Sequence, residues 1–280
     1  MLADAALSRG DFAQAERLSR RVLQCDPDHA DAYAALQCAL VEGGKLAEAV
    51  VVANRTLERF RARATESTQA YMLHVLQQRG FAFSGVLDIG AYEGEFSILA
   101  RQFFSDAAVL MVEPQPQKRA GLDALATALG GDVRVESVLL GDEDCDGRAF
   151  HQLRTPFGST GSSLYEELSD YPRDVLTLPM RRLDSLVRSH EGRVFDLVKI
   201  DVQGAELDVL RGASAMLGTV QALCIELSLH PVNRGAPLLA EVVATLDQLG
   251  FAMCDAVPLP RDGGLQKQID AVFVRKQAQR

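Results

Sequence analysis

Two hydrophobic rhythms divide the chain. Up to about residue 60, apolar positions recur every three or four residues, the spacing of one buried helix face. Shifting this stretch by 34 residues lays it on itself: Leu2 on Leu36, Ala6 on Leu40, Leu7 on Val41, Gly10 on Gly44, Phe12 on Leu46, Ala15 on Ala49, Leu18 on Val52 and Leu23 on Leu57. The matched positions are the apolar and glycine ones, which packing fixes. Gly10-Asp11 and Gly43-Gly44-Lys45 read as turns between helices, and Asp26-Pro27-Asp28 as a helix stop and restart, since proline suits only a first turn. Residues 61–69 are polar without an apolar stripe, and 71–79 predict one more helix with Tyr71, Met72, Val75 and Leu76 on one face.

From residue 81 the rhythm changes to short apolar runs separated by helical spacing. Strands are predicted at 85–90, 108–113, 133–140, 195–202, 220–227, 251–257 and 269–274, and helices at 93–104, 117–129, 205–217 and 238–249. Near-continuous apolar strands alternating with helices imply an α/β fold, a mainly parallel sheet with helices on both faces. The last two strands follow each other without a helix and suit a reversed hairpin at the sheet edge. The chain thus divides into a small all-α segment (1–61), a connecting helix (62–80) and an α/β domain (81–280). Gly10-Asp11-Phe12-x-x-Ala15, Asp26-Pro27, Ala32-Tyr33-x-x-Leu36 and Gly44-Lys45-Leu46-x-x-Ala49 resemble tetratricopeptide repeats, about one and a half of them. So few repeats rarely stand alone. They are expected to cap the α/β domain, dimerise, or dock a protein partner.

Composition narrows the function. Hydrophobic residues make up 48% and charged residues 24%, the balance of a globular protein, and the net charge of -9 argues against nucleic acid, which needs clustered Lys and Arg. There is neither a run of about 18 apolar residues nor the basic start of a signal peptide, so no membrane association and a cytoplasmic location are expected. Five cysteines without a Cys-x-x-Cys pair offer neither a zinc site nor a disulfide framework, and Cys224 reads as a small core residue.

The chemistry concentrates at predicted strand ends, where sheets of this kind bind ligands. The first strand ends in Asp88-x-Gly90-Ala91-Tyr92-Glu93-Gly94. Gly90 permits a tight turn, and the next helix presents its free N–H groups. The second strand ends in Glu113-Pro114, a carboxylate able to accept hydrogen bonds from both ribose hydroxyls of an adenosine. The third ends in Gly141-Asp142, where an adenine would lie. The dinucleotide fingerprint needs a second glycine where Ala91 and Tyr92 stand, so a pyrophosphate would be crowded. S-adenosylmethionine has no pyrophosphate, and its sulfonium suits the acidic Asp88 and Glu93.

The segment Leu197-Val198-Lys199-Ile200-Asp201-Val202-Gln203-Gly204-Ala205-Glu206, continuing to Val209-Leu210-Arg211-Gly212-Ala213, resembles the signature of the FkbM family of methyltransferases. Asp88-Ile89-Gly90-Ala91, Glu113-Pro114, Gly158-Ser159-Thr160-Gly161-Ser162-Ser163-Leu164, Arg182-Leu183-Asp184-Ser185-Leu186 and Ile225-Glu226 extend the likeness over about residues 80–275. The resemblance implies a Rossmann-like class I methyltransferase sheet and S-adenosylmethionine-dependent O-methylation of a sugar, glycan or glycosylated natural product. Gln203 departs from the family's usual Glu, and Tyr92-Glu93 from its usual Asn-x. Asp201 is the first candidate for the base or acceptor-orienting group, with Glu226 and His230 beside it. Lys199 shares a strand face with Asp201 and is expected to pair with Asp201 or Glu226. Those two carboxylates suit Mg²⁺ but lack a firm third ligand, so no metal site is predicted. Gly158 to Ser163 are candidates for a lid, and Tyr92, Tyr165, Tyr171 and Phe157 for sugar stacking. Two readings compete with this one: a helical-repeat interaction protein whose methyltransferase domain is weak or inactive, and an NAD-dependent oxidoreductase.

Overall fold

The computed structural model describes residues 2–25, 30–52, 67–155, 158–190, 192–259 and 264–276. Asp26-Pro27-Asp28, most of the polar stretch 61–69, and Phe157 lie outside them.

The N-terminal part is helical: α1 (Leu2–Leu7), α2 (Phe12–Cys25), α3 (Ala30–Glu42) and a stretch described over 46–52 (α4). The 34-residue periodicity is geometric. Gly10 N–H donates to the Leu7 carbonyl and Asp11 N–H to that of Ala6; 34 positions on, Gly44 donates to Val41 and Lys45 to Leu40. Gly10 and Gly44 share the left-handed conformation that closes each turn (φ 71° and 74°). Ala6, Ala15 and Ala39 pack α1 to α3 together, and Leu36, Leu40, Ala49 and Val52 bury the second half.

A further helix, α5 (Thr68–Gln78), precedes a seven-stranded sheet. The elements that follow are β1 (Gly85–Ile89), α6 (Glu95–Phe103), β2 (Ala108–Val112), α7 (Arg119–Leu129), β3 (Val133–Glu136), β4 (Leu139–Gly141), β5 (Cys145–Leu153), β6 (Arg173–Arg182), α8 (Leu183–Arg188), β7 (Leu197–Ile200), α9 (Glu206–Arg211), β8 (Ala222–Ser228), α10 (Leu239–Gln248), β9 (Phe251–Pro258) and β10 (Gln268–Arg275). The large sheet runs β3-β2-β1-β7-β8-β10-β9; β10 lies antiparallel to both neighbours, so the final hairpin is reversed as expected. Cores form on both faces. Phe96, Leu122, Leu125 and Leu73 bring α5 to α7 onto one side; Leu186, Val209, Leu210 and Leu246 bring α8 to α10 onto the other. The architecture is that of a Rossmann-like sheet with N-terminal helices in front. No helix among the described residues is long and apolar enough to cross a membrane.

Two expected elements are broken. The strand predicted at 133–140 is two strands of different sheets: β3 leaves the large sheet at Glu136, and β4 joins β6 and β5 in a separate three-stranded sheet built from the insertion. Periodicity cannot see that division, because the apolar run continues through Val138, Leu139 and Leu140, buried in both settings. The helix predicted at 205–217 stops at Arg211. A Cβ on Gly212 would stand 2.1 Å from the Gly141 carbonyl oxygen, so the chain is pressed against β4 at that point. A short 3-10 turn, Met216–Gly218, carries it on to β8.

One buried carboxylate gathers three strand starts. Asp196 Oδ1 accepts from Ser84 N–H (2.9 Å) and Gly85 N–H (3.1 Å), and Oδ2 from Gln221 Nε2 (3.0 Å). Its carbonyl accepts from Gln221 and Ala222. Removing the side chain strands the buried Gly85 N–H, a loss of about 1–3 kcal/mol, and takes the acceptor from the more exposed Ser84 and Gln221 donors. Asp196→Ala is therefore expected to lower the unfolding free energy by roughly 2–4 kcal/mol in urea denaturation; a loss near zero would mean that the strand ends hold without it.

Glu206 opens α9, buried, with Gly204 N–H donating to its Oε1 at 2.9 Å. Burial pushes its carboxyl up from 4.5 to about 7. The folded protein therefore holds a proton that the unfolded chain releases, and stability falls as pH rises from about 4.5 through about 7. Glu206→Gln stays neutral and can still accept from Gly204. The variant is expected to show a flatter stability curve between pH 5 and 8, and to exceed the wild type at pH 8 by on the order of 3 kcal/mol. Parallel curves for the two proteins would refute this.

Candidate active site

The strand order reverses between β1 and β7, and a pocket opens there at the carboxyl ends of β1, β2 and β7. Its lining comes from Gly90 to Glu93, Glu113 to Gln115, Val138 to Leu140, the insertion segment 159–164, and Asp201 to Gln203.

Gly90 sits where β1 turns away. It adopts φ 75°, and an added Cβ would lie 1.9 Å from the Asp201 carbonyl oxygen. The close approach that requires glycine is thus to the end of β7 as much as to any ligand. The chain then runs through Ala91 to Tyr92, which holds φ 50°, a conformation most side chains avoid. The constraint that keeps it there is visible: Tyr92 N–H donates to Glu113 Oε2 at 2.9 Å. Glu113 Oε1 accepts from Gln115 N–H at 3.0 Å. Burial raises the Glu113 carboxyl above its ordinary value, and the two backbone donors pull it back. Each oxygen keeps lone-pair capacity for a further donor from the pocket. Pro114 follows it in the lining.

Asp88 and Lys199 face each other across the β1–β7 ladder, both buried. Lys199 Nζ stands 3.3 Å from Asp88 Oδ1 and 3.4 Å from Asp201 Oδ2, and donates to the Gly90 carbonyl at 2.7 Å. Burial alone would lower its pKa, but the carboxylates of Asp201 and Asp88 outweigh that and hold the ammonium above its usual value. Asp88 Oδ2 accepts from Ser97 Oγ at 2.7 Å. Asp88 is therefore an internal counter-ion behind the pocket wall and is not part of the lining.

Asp201 and Glu226 are brought together, but through Gln203. Its Nε2 donates to Asp201 Oδ1 (2.7 Å) and to Glu226 Oε1 (2.6 Å), and Gln268 Nε2 reaches the same Glu226 oxygen at 2.5 Å. Gln203 is the second non-glycine residue with positive φ (55°) among the described residues. Burial and the Asp201 carboxylate hold Glu226 well above the usual carboxylate range. Lys199 makes its ion pairs with Asp88 and Asp201, while Glu226 is held by amides. No group of three or more His, Cys, Asp or Glu suited to a metal ion occurs among the described residues.

Five expected site residues are absent from the lining: Asp88 and Glu226, which stand behind it, and three that lie elsewhere. Gly141 pairs with Arg182 in the small sheet, under Met180, and Asp142 follows it; neither lines the pocket. The cause is the early exit of β3, which leaves Val138, Leu139 and Leu140 at the pocket instead. His230 is exposed in the bend after β8, away from the lining. The insertion does reach the pocket: Ser163 Oγ donates to the Val202 carbonyl at 3.1 Å, and Ser159 N–H approaches the Tyr92 hydroxyl at 3.4 Å. Of the expected aromatic platforms, Tyr92 lines the pocket, while Tyr165 is bonded to Asp208 at 2.8 Å and Tyr171 is exposed.

Sequence reasoning missed Gln69, Glu95, Gln115 and Phe150, all in the lining. Gln69 arrives because α5 is pinned to the far hairpin, by a hydrogen bond from Thr68 to Asp270 and by Tyr71 donating to Asp255 at 3.1 Å. No local pattern announces a contact across some 200 residues. Glu95, by contrast, stands in the first turn of the helix after the glycine loop, where an acidic residue was legible.

Residues 88–253 match the family model described as the Methyltransferase FkbM domain. No curated protein matches the chain. Among solved structures it is similar to precorrin-6y C5,15-methyltransferase from Geobacter metallireducens GS-15, with 13% identity, a TM-score of 0.43, and 74% of this chain and 87% of that one covered. It is also similar to magnesium protoporphyrin IX methyltransferase from Synechocystis PCC 6803 with bound SAM (13% identity, TM-score 0.44, 79% and 83% covered). A third similar structure is an O-methyltransferase family protein from Burkholderia thailandensis (15% identity, TM-score 0.41, 79% and 60% covered). The family match takes in more than half of the sequence, including the glycine loop, Glu113, the Lys199–Asp201 strand end and the insertion, and this chain belongs to the FkbM methyltransferase family.

Proposed function

We propose that this protein is an S-adenosylmethionine-dependent O-methyltransferase acting on a hydroxyl of a sugar, glycan or glycosylated natural product. The observation that carries the cofactor is Glu113, a buried carboxylate at the end of β2 with spare acceptor capacity beside an apolar wall of Ile89, Val138, Leu139 and Phe150. That pairing suits a ribose diol next to an adenine. Glu93, Glu95 and Asp201 add negative charge to the lining, and the only lining cation among the described residues, Lys199, is consumed by Asp88, Asp201 and Gly90. A sulfonium is welcome in such a pocket and a pyrophosphate is not. When bound, S-adenosylmethionine supplies an electrophilic methyl group.

The protein's own part is position and a proton acceptor. Lys199 and Gln203 fix the two Asp201 oxygens from opposite sides, so the carboxylate presents a constant orientation to an acceptor hydroxyl. Gln69, Thr160 and Gln203 surround that side with amides and a hydroxyl, groups that read neutral polyols. The insertion segment 159–164 lines the pocket and bonds to Val202 and Tyr92, which suits a lid that excludes water. The repeated turn geometry of α1 to α4 supports the reading of those helices as tetratricopeptide-like.

Calorimetric titration with S-adenosylhomocysteine, with NADH alongside, tests the cofactor. Saturable binding of the former alone is expected. Glu113→Ala is expected to weaken it at least about 100-fold, since charge-assisted bonds to two ribose hydroxyls are each worth roughly 1.5–3 kcal/mol. Folded wild-type protein that ignores S-adenosylhomocysteine would sink the proposal.

A further inference from the structure

The N-terminal helices reach the glycine loop, and they do so through a charged cluster that the pocket chemistry above does not use. Glu42 is the last residue of α3. Its carboxyl lies 4.0 Å from Lys118 Nζ, and burial together with the nearby Glu93 charge holds it above its ordinary value. Lys118 Nζ is 2.5 Å from Glu93 Oε1 and 3.8 Å from the centre of the Tyr92 ring. One turn back on α3, Cys38 is near enough for Glu93's charge to reinforce burial in pushing its thiol up to about 11. The side chains of Lys118 and Glu93 are both largely shielded from solvent, at 14% and 15% exposure, so their pair is weakly screened, whereas Glu42 stands at its exposed edge.

Charge balance explains why an acidic helix end can dock on an acidic loop. Lys118 lies within reach of both carboxyls and offsets their negative charge, while burial and the neighbouring Glu93 hold the Glu42 carboxyl above its ordinary value. The cluster is then closed, with its cation lying against the Tyr92 ring. Tyr92 needs such support. Its left-handed backbone costs about 1–3 kcal/mol and persists only where the surroundings enforce it. Its backbone is held by Glu113 on the pocket side and its hydroxyl meets the insertion at Ser159; Lys118 holds the ring.

We propose that Lys118 and Glu42 are positioning residues, through which the N-terminal helices hold Tyr92 and the glycine loop in the shape that receives the cofactor. The functional half of this inference rests on the S-adenosylmethionine reading above. It gives the helices a task within the active site, in addition to any partner that they dock.

The test uses the full chain, with amide hydrogen exchange of the segment 90–95 in the ligand-free protein and S-adenosylhomocysteine titration side by side. Glu42→Ala and Lys118→Met are each expected to speed exchange in that segment and to weaken binding by roughly fivefold to tenfold. The double variant should do little more than either alone, because the two residues act through one cluster. Glu42→Gln, whose amide can donate to Glu93 and accept from Lys118, is expected to restore both readouts. Glu48→Gln, an exposed change on α4, should alter neither. Unchanged exchange over 90–95 in Glu42→Ala overturns the inference, as does a Glu42→Gln variant no better than Glu42→Ala. Faster exchange in both cluster variants together with a wild type that ignores S-adenosylhomocysteine would leave the structural coupling standing and remove the cofactor reading instead.

Discussion

A lysine buried at the point where the sheet reverses direction constrains everything around it. Lys199 is 5% exposed and faces Asp88, which is wholly buried, across the β1–β7 ladder. An ammonium in that place is tolerable only with carboxylates and a carbonyl on its three donors, and it has them in Asp88, Asp201 and Gly90. These partners belong to the two strand ends that form the pocket, so the ion cluster fixes the distance between them. It also sets the turn at Gly90, whose missing side chain makes room for the Asp201 carbonyl. Geometry at the mouth of the site is therefore inherited from charge neutralisation behind it.

This neutralisation is local and leaves the pocket itself acidic. Asp88 is spent inside the wall. Asp201 is half spent, with one oxygen toward Lys199 and the other toward Gln203. Glu226 sits behind Gln203, its carboxyl held well above the usual range by burial and by Asp201. The amide of Gln203 accounts for its own presence, since its NH₂ group donates to both carboxylates at once. A carboxylate at 203 would place three acids in contact and demand a proton or a cation to bridge them. Gln203 therefore makes the Asp201–Glu226 pair self-sufficient, and its strained backbone marks how firmly the surrounding loop holds it.

Much of this was legible in the chain. The strand ends at Asp88-x-Gly90, Glu113 and Asp201 could be read because each closes an apolar run, and a run of that kind has few other places to stop than the edge of a parallel sheet. The 34-residue repeat could be read because packing and turn closure select the same residue types twice. What escaped was set by contacts between distant segments. The apolar run 133–140 conceals a change of sheet, which puts Val138, Leu139 and Leu140 in the pocket lining where Gly141 and Asp142 were expected. His230 looked close to the strand end in sequence, but the bend turned it to solvent. Gln69 and Lys118 carry no local signature at all, since each is placed by partners elsewhere in the chain: Thr68 and Tyr71 beside Gln69 by the last hairpin, Lys118 by Glu93 and Glu42.

The pocket is thereby lined by residues from Gln69 to Ala205 and braced by others as far apart as Glu42 and Gln268, and two strained residues, Tyr92 and Gln203, stand in its lining. Tyr92 is held by Glu113, Lys118 and the insertion; Gln203 by Asp201, Glu226 and, through Gln268, the last hairpin. Each is a place where a local conformational cost is offset by contacts to remote elements, so local order in the pocket depends on the docking of those elements. Such a site keeps its shape only if its peripheral parts stay in contact with it. On this view the insertion and the N-terminal helices do one job from two directions, since both press on the same tyrosine.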